Sequence, residues 1–145
     1  MSENISAKFN NFQEVFLMEK HRIDSFKTWP YDENSSCSIT KMAEAGFYWT
    51  GNKNNEEDDA ATCFVCCKQL HGWDPTDDPW KEHMKHAPQC QFVKYGRKEN
   101  ELTVEEFLNI TSAVLRKKLT KSLNAVKTRF SLLASTELEK YLAEK

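Results

Sequence analysis

Residues 62–93 read TCFVCCKQLHGWDPTDDPWKEHMKHAPQCQFV, and four side chains in that stretch decide the fold: Cys63, Cys66, His83 and Cys90. Their spacing, C-x2-C-x16-H-x6-C, supplies three thiolates and one imidazole, the donor set of a structural zinc site. One structural Zn(2+) closes its tetrahedron with these four ligands and keeps no position for a catalytic water. The expectation is a protein without enzymatic activity, whose chemistry lies in the surface that the metal staples together. No Ser-His-Asp ordering and no paired buried carboxylates stand out to argue otherwise. Clustered cysteines of this kind are metal ligands in a reducing compartment before they are disulfides, and Cys37 and Cys67 remain as ordinary small side chains.

Outward from the ligands, the local signals alternate between short elements. Apolar Phe16, Leu17, Ile23 and Phe26 among charges predict an amphipathic helix over 14–26, ended by Trp29-Pro30. Ser38 as cap and Gly46 as stop predict a helix over 39–45. Strands are expected over 47–50, 62–65 and 69–73, with the Cys63/Cys66 knuckle between the last two. The run Gly51-Asn-Lys-Asn-Asn-Glu-Glu-Asp-Asp59 can bury nothing and reads as a polar loop. Asp78-Pro79 starts a helix, with Asp as cap and Pro at the first helical position; His83 on it faces the metal, and His86, three residues on, lies beside it at the surface.

The composition changes near Tyr95. All five cysteines and all four prolines precede it, as do three of the four glycines, the fourth being Gly96. Lys and Arg number 10 against 15 Asp and Glu in residues 1–95, net −5, and 10 against 7 in residues 96–145, net +3, which together give the −2 of the whole chain. An acidic head calls for a cationic partner and a basic tail for an acidic one. Thr103 and Glu106 form a capping box, with Leu102 placed to staple onto Phe107, so a helix starts there and runs to about Leu142. Leu115, Leu119, Leu123, Val126, Phe130 and Leu133 make one apolar stripe along it, more than a small head can cover, which marks a partner-binding helix. The expected organisation is an arm over 1–13, a zinc domain over 14–95, a linker over 96–102 and the long helix over 103–142. No apolar run is long enough for a membrane span and no secretory leader is recognisable, so a soluble intracellular protein is expected.

Taken together, Arg22-x3-Phe26-x2-Trp29-Pro30, Met42-Ala43-Glu44-Ala45-Gly46-Phe47, the zinc ligands, Gly72-Trp73 and Asp77-Asp78-Pro79-Trp80 before Glu82-His83 resemble the baculovirus IAP repeat, the BIR domain. The likeness covers roughly residues 14–93. It implies an α+β fold, a small zinc-stapled domain with a three-stranded antiparallel sheet and short helices, followed here by a long C-terminal α-helix. It also implies a groove that holds the amino terminus of a peptide beginning with alanine. By position, Leu70 and Trp73 form the wall for the alanine methyl, Asp77 accepts the ammonium, and His86 with Lys68 nearby contacts a phosphothreonine. Apoptosis-inhibiting BIR domains that bind Ala-Val-Pro motifs usually carry tryptophan at the position of His86. Histidine there resembles the single-BIR mitotic branch, which implies a histone tail starting Ala-Arg-Thr-Lys as ligand. That branch further implies membership of the chromosomal passenger complex, with the helix bundled against borealin and inner centromere protein to bring Aurora B kinase to centromeres, then to the spindle midzone and midbody, in a protein of nucleus and cytoplasm. His71 departs from the branch, which has glutamate at that place. Glu56, Glu57, Asp59 and Asp74 supply negative potential suited to a basic tail.

The branch also implies a homodimer through Phe9, Phe12 and the Leu102 region. The alternative function is an apoptosis inhibitor acting on caspases or on Ala-Val-Pro antagonists, for which the groove tryptophan and further repeats are wanting. The helix cations Arg116, Lys117, Lys118, Lys121, Lys127 and Arg129 suit weak contact with acidic tubulin in microtubules or with a DNA backbone.

Overall fold

The computed structural model describes residues 16–51 and 58–145. Phe9, Phe12, Glu56 and Glu57 lie outside that range. The first helix, α1 (Glu19–Ser25), is shorter than the 14–26 expected from periodicity. Phe16 takes a left-handed φ of 52° and Met18 is extended, so the helix starts at Glu19, while residues 14 and 15 of the expected span lie outside the described residues. What holds the chain open there is Arg22. Its side chain is fully buried, its Nη1 donates to the carbonyls of Phe16 and Leu17 (3.0 Å each) and its Nε to the carbonyl of Ala43 (2.9 Å). The guanidinium carbon lies 4.3 Å from the centre of the Phe64 ring, and the electron-rich ring face stabilises a cation that burial has stripped of water. Burial lowers the Arg22 pKa to about 10, opposed by Glu99 and Glu19, so the group is still charged at neutral pH.

Helix α2 (Ile39–Glu44) begins at Ser38, whose hydroxyl accepts from the Lys41 amide, and its chain reverses at Gly46 with φ +95°. Only glycine serves at this turn for a second reason: a Cβ would stand 2.9 Å from the Phe92 ring. Three strands follow, β1 (Phe47–Trp49), β2 (Ala61–Cys63) and β3 (Gln69–Leu70), antiparallel in that order, with Phe47 opposite Cys63 and Thr62 opposite Gln69. The strands are shorter than the expected 47–50, 62–65 and 69–73. The knuckle turns immediately after Cys63, where the Cys67 amide returns to the Cys63 carbonyl (3.0 Å) at a Cys67 φ of 62°, so β2 cannot continue to Val65. Gly72, at φ +73°, breaks β3 before Trp73. The outer edge of β1 is covered where the Trp49 amide donates to the Ser25 hydroxyl (2.9 Å).

Helix α3 (Pro79–His86) starts as its sequence predicts, with Asp78 Oδ1 accepting from Trp80 and Lys81 amides. A further short helix, α4 (Gln91–Tyr95), was not legible; it is capped at its C-terminus by Gly96 in the left-handed conformation. Phe92 on α4 is 1% exposed, stacks on Trp80 and meets Phe64 edge-on, closing the core over Met42, Phe47 and Arg22. The long helix α5 (Val104–Ala143) opens with the predicted capping box in both directions: Thr103 N donates to Glu106 Oε2 (2.9 Å) and Glu106 N to Thr103 Oγ1 (3.2 Å). Contacts divide the chain into two units, the first ending at Thr111 and the second running from Ser112 to Lys145, so α5 contributes to both. Among the described residues no helix is long and apolar enough to cross a membrane.

Candidate metal centre and peptide groove

The four predicted ligands converge. One donor atom from each of Cys63, Cys66, His83 and Cys90 lies within 4.8 Å of all the others. A tetrahedron with metal–sulfur bonds of about 2.3 Å and metal–nitrogen bonds of about 2.0 Å has edges of about 3.8 Å between sulfurs and about 3.5 Å between sulfur and nitrogen. The separations are 3.9 Å for Cys63 Sγ to Cys90 Sγ and 3.6 Å for Cys66 Sγ to His83 Nε2. The cage therefore has the dimensions for a single metal ion.

Its surroundings fit the same purpose. His83 is fully buried, and its Nδ1 lies 2.8 Å from the Ala45 carbonyl. With the proton on Nδ1, that contact leaves the Nε2 lone pair facing the sulfurs, the tautomer that a metal needs. The Phe47 ring lies 4.7 Å from the imidazole and keeps water away. The Val65 amide donates to Cys63 Sγ (3.3 Å), which favours thiolate. Burial opposes a charge on His83, yet hydrogen bonds to Cys66 and Cys90 raise its pKa to about 9. Burial holds the Cys63 thiol well above its ordinary value, while hydrogen bonds from Cys63 and Cys90 pull Cys66 well below. Cys63, Cys66 and His83 thus share protons that a divalent cation would displace.

Sequence places Cys37 and Cys67 outside this set, and the structure agrees. Cys67 is exposed. Cys37 is buried, and its thiol donates to the Asp74 carbonyl (3.2 Å). Beside it the Ser36 amide (3.0 Å) and Ser35 hydroxyl (2.9 Å) both donate to the Pro75 carbonyl. The segment before α2 therefore anchors the turn that carries Asp74 and Asp77.

Next to the metal cage, β3 and α3 enclose an open groove of about 250 Å³. All five residues expected to read a peptide, Lys68, Leu70, Trp73, Asp77 and His86, line it, together with Gln69, His71, Gly72 and Glu82. Trp73 is buried with its ring edge on Phe47, 5.4 Å between centres, so the groove wall and the metal cage rest on one aromatic. The Asp77 carboxylate accepts from the Asp74 amide through Oδ2 (2.8 Å), a bond that fixes its position at the groove's end.

Two side chains act here in ways that the sequence did not disclose. Glu82 stands between its helical neighbours, with Oε2 3.3 Å from His86 Nε2 and 3.5 Å from Lys85 Nζ, and adds a second carboxylate to the groove. Its signal was the i,i+4 spacing to His86. Asp59 was read as part of a diffuse acidic potential, but both its oxygens are spent on backbone: Oδ1 accepts from Gly72 N (3.0 Å) and Oδ2 from Trp73 N (2.7 Å). It is a clamp on the groove wall. Asp74 is likewise tied, accepting from the Thr76 amide and hydroxyl, bonds that lower its pKa and keep it ionised.

Residues 22–94 match the family model described as "Inhibitor of Apoptosis domain", the BIR. The chain is 42% identical over 113 residues to "Baculoviral IAP repeat-containing protein 5" of Rattus norvegicus, covering 78% of each. It is 40% identical over 119 residues to the protein of the same name in Mus musculus, covering 82% of this chain and 84% of that one. Over 114 residues it is 40% identical to "Baculoviral IAP repeat-containing protein 5.2-B" of Xenopus laevis, covering 79% and 71%. A metal cage of Cys3His type, a groove of the expected side chains and these likenesses converge: the chain belongs to the BIR family of inhibitor-of-apoptosis proteins, as a member of the survivin type.

Proposed function

We propose that this protein is a non-enzymatic subunit of a chromosomal passenger complex. In this reading Cys63, Cys66, His83 and Cys90 hold one structural zinc, and the groove reads a histone tail that begins with alanine and is phosphorylated on threonine. The exposed face of α5 bundles with borealin-like and inner-centromere-protein-like helices, localising Aurora B kinase to centromeres and later to the midzone and midbody.

The observation that carries the reading is the chemistry of the groove. A free amino terminus needs charge-assisted acceptors, and Asp77 and Glu82 both line the groove together with apolar Leu70 and Trp73. His86 and Lys68 line the same groove, and each can donate to a phosphate oxygen. Tryptophan at the position of His86 has one neutral N–H donor and can never carry a positive charge to a phosphate. Zinc is the metal whose ligand preference and tetrahedral size match three sulfurs and one nitrogen.

One competition assay tests it. An Ala-Arg-Thr-Lys peptide, its phosphothreonine form and an Ala-Val-Pro peptide are titrated against the full chain. The phosphorylated tail should bind tightest, acetylation of its amino terminus should abolish binding, and Asp77→Ala should do the same. Equal affinity for the first two peptides with tight binding of the third would replace this reading by the apoptosis-inhibitor one.

A further inference from the structure

Within the unit from Ser112 to Lys145, the apolar stripe has a finer pattern than its composition shows. Leu119, Val126 and Leu133 recur every seven residues, and Leu123 and Phe130 form a second series offset from them by four. These are the d and a positions of a heptad repeat, and all five side chains are between 59% and 74% exposed. In that frame Lys127 follows a d residue and Arg129 precedes an a residue, so one cation lies along each flank of the seam, at e and at g. Both are exposed. No carboxylate occurs anywhere between Glu106 and Glu137, a stretch that also holds Arg116, Lys117, Lys118 and Lys121.

The flanking charges decide what can cover the seam. In a parallel, in-register pair of identical helices each g faces the e five residues further on in the other helix, which sets Arg129 against Ala134 and Lys127 against Ser122 and leaves both cations without a counter-charge. In an antiparallel pair g faces g and e faces e, which sets cation against cation. With no acid on the segment, a second copy offers these cations repulsion or no charged partner at all. A partner helix that carries Glu or Asp along both sides of its own apolar seam gives each of them a counter-charge in either orientation. We infer that the face Leu119–Leu123–Val126–Phe130–Leu133 selects an acid-flanked, non-identical helix, with Lys127 and Arg129 as the residues that set this specificity. The inference rests on the reading of α5 as a helix-binding element and adds the chemistry of its partner.

The test uses the full chain and two synthetic helical peptides with identical Leu and Ile seams, one with Glu at every e and g position and one with Lys there. Titration calorimetry at low and at physiological ionic strength should give the Glu peptide at least about tenfold tighter binding, a margin that shrinks as salt rises. K127E/R129E, which leaves the seam untouched, should abolish that preference. The Leu123→Glu/Val126→Glu variant should lose both peptides. Equal affinity for the two peptides, a preference unchanged in K127E/R129E, or self-association of the chain as tight as its binding to the Glu peptide overturns the inference while leaving the helix-binding reading intact. Undiminished binding of the Glu peptide by L123E/V126E overturns the helix-binding reading itself.

Discussion

The two units of this chain are stabilised in opposite ways. In the head nearly every polar group of consequence is spent internally: Arg22 on three carbonyls, His83 on Ala45, Asp59 on two amides, Tyr31 on the Trp73 carbonyl. In the residues from Leu115 onward the large apolar side chains are exposed, and the hydrogen bonds of threonine side chains go back to the helix's own backbone, as at Thr128 to Asn124 and Thr136 to Leu132. A region organised around a metal-sized cage and a buried cation carries its specificity with it; a helix without a covered face takes its specificity from whatever covers it. Damage to one unit should therefore leave the other largely indifferent, and the predictions measure how far that holds.

The largest effect should follow loss of the metal. A structural zinc contributes on the order of 10 kcal/mol to folding of a small domain, so chelation or Cys63→Ser should unfold the head while helical circular dichroism from the tail persists in the presence of its partners. Metal analysis and thermal melts check this, and a Cys63→Ser head that melts at the wild-type temperature would break the comparison. Because uptake displaces protons shared by His83 and the thiols, apparent metal affinity should fall as pH is lowered.

Next in size is Arg22. Replacement by Met keeps much of the volume but strands the carbonyls of Phe16, Leu17 and Ala43, at about 1–3 kcal/mol each for those that cannot reach water. Denaturant titration should show a loss of about 3 kcal/mol or more, with metal stoichiometry unchanged. A loss below about 1 kcal/mol would mean that burying the cation costs as much as its bonds return.

Smaller still, Asp59→Ala should release the amides of Gly72 and Trp73 and loosen the groove wall. Affinity for an alanine-initiated peptide should drop by about tenfold, equivalent to one charged hydrogen bond of about 1.5 kcal/mol, with a much smaller shift in melting temperature. The smallest effect on the head should come from Leu119→Glu/Val126→Glu, which places two charges in the tail seam. Partner co-purification should fail, yet the melting temperature of the head should not move.

How much could be seen beforehand follows the same division between local and distant causes. The metal ligands, the Ser38 and Asp78 caps, the Gly46 turn and the Thr103/Glu106 box were all legible because each signal lies within a few residues of what it controls. The five residues that family likeness assigns to the groove all line one cavity. What escaped depended on partners far along the chain. Periodicity carried α1 back to residue 14 because nothing local announces that Phe16 and Leu17 must offer their carbonyls to Arg22. Helix α4 is only five residues long and starts at a ligand, too short for a period to show. Asp59 looked like one more charge in an acidic run until its two amide partners, thirteen and fourteen residues later, were in view.

That clamp bears on how the protein can be altered. The chain on the two sides of residues 52–57 is tied together where the Asp58 carbonyl accepts from the Trp49 indole (2.6 Å), and beyond that tie Asp59 grips the groove wall. Length added between Trp49 and Asp58 is separated from the clamp by the tie, and each doubling of such a loop costs only about 0.6 kcal/mol of closure entropy. An epitope, a fluorophore-labelling sequence or a second recognition peptide grafted at residues 54–55 should leave the Asp59 clamp in place, whereas the same graft one residue past Asp58 would pull the clamp from the wall.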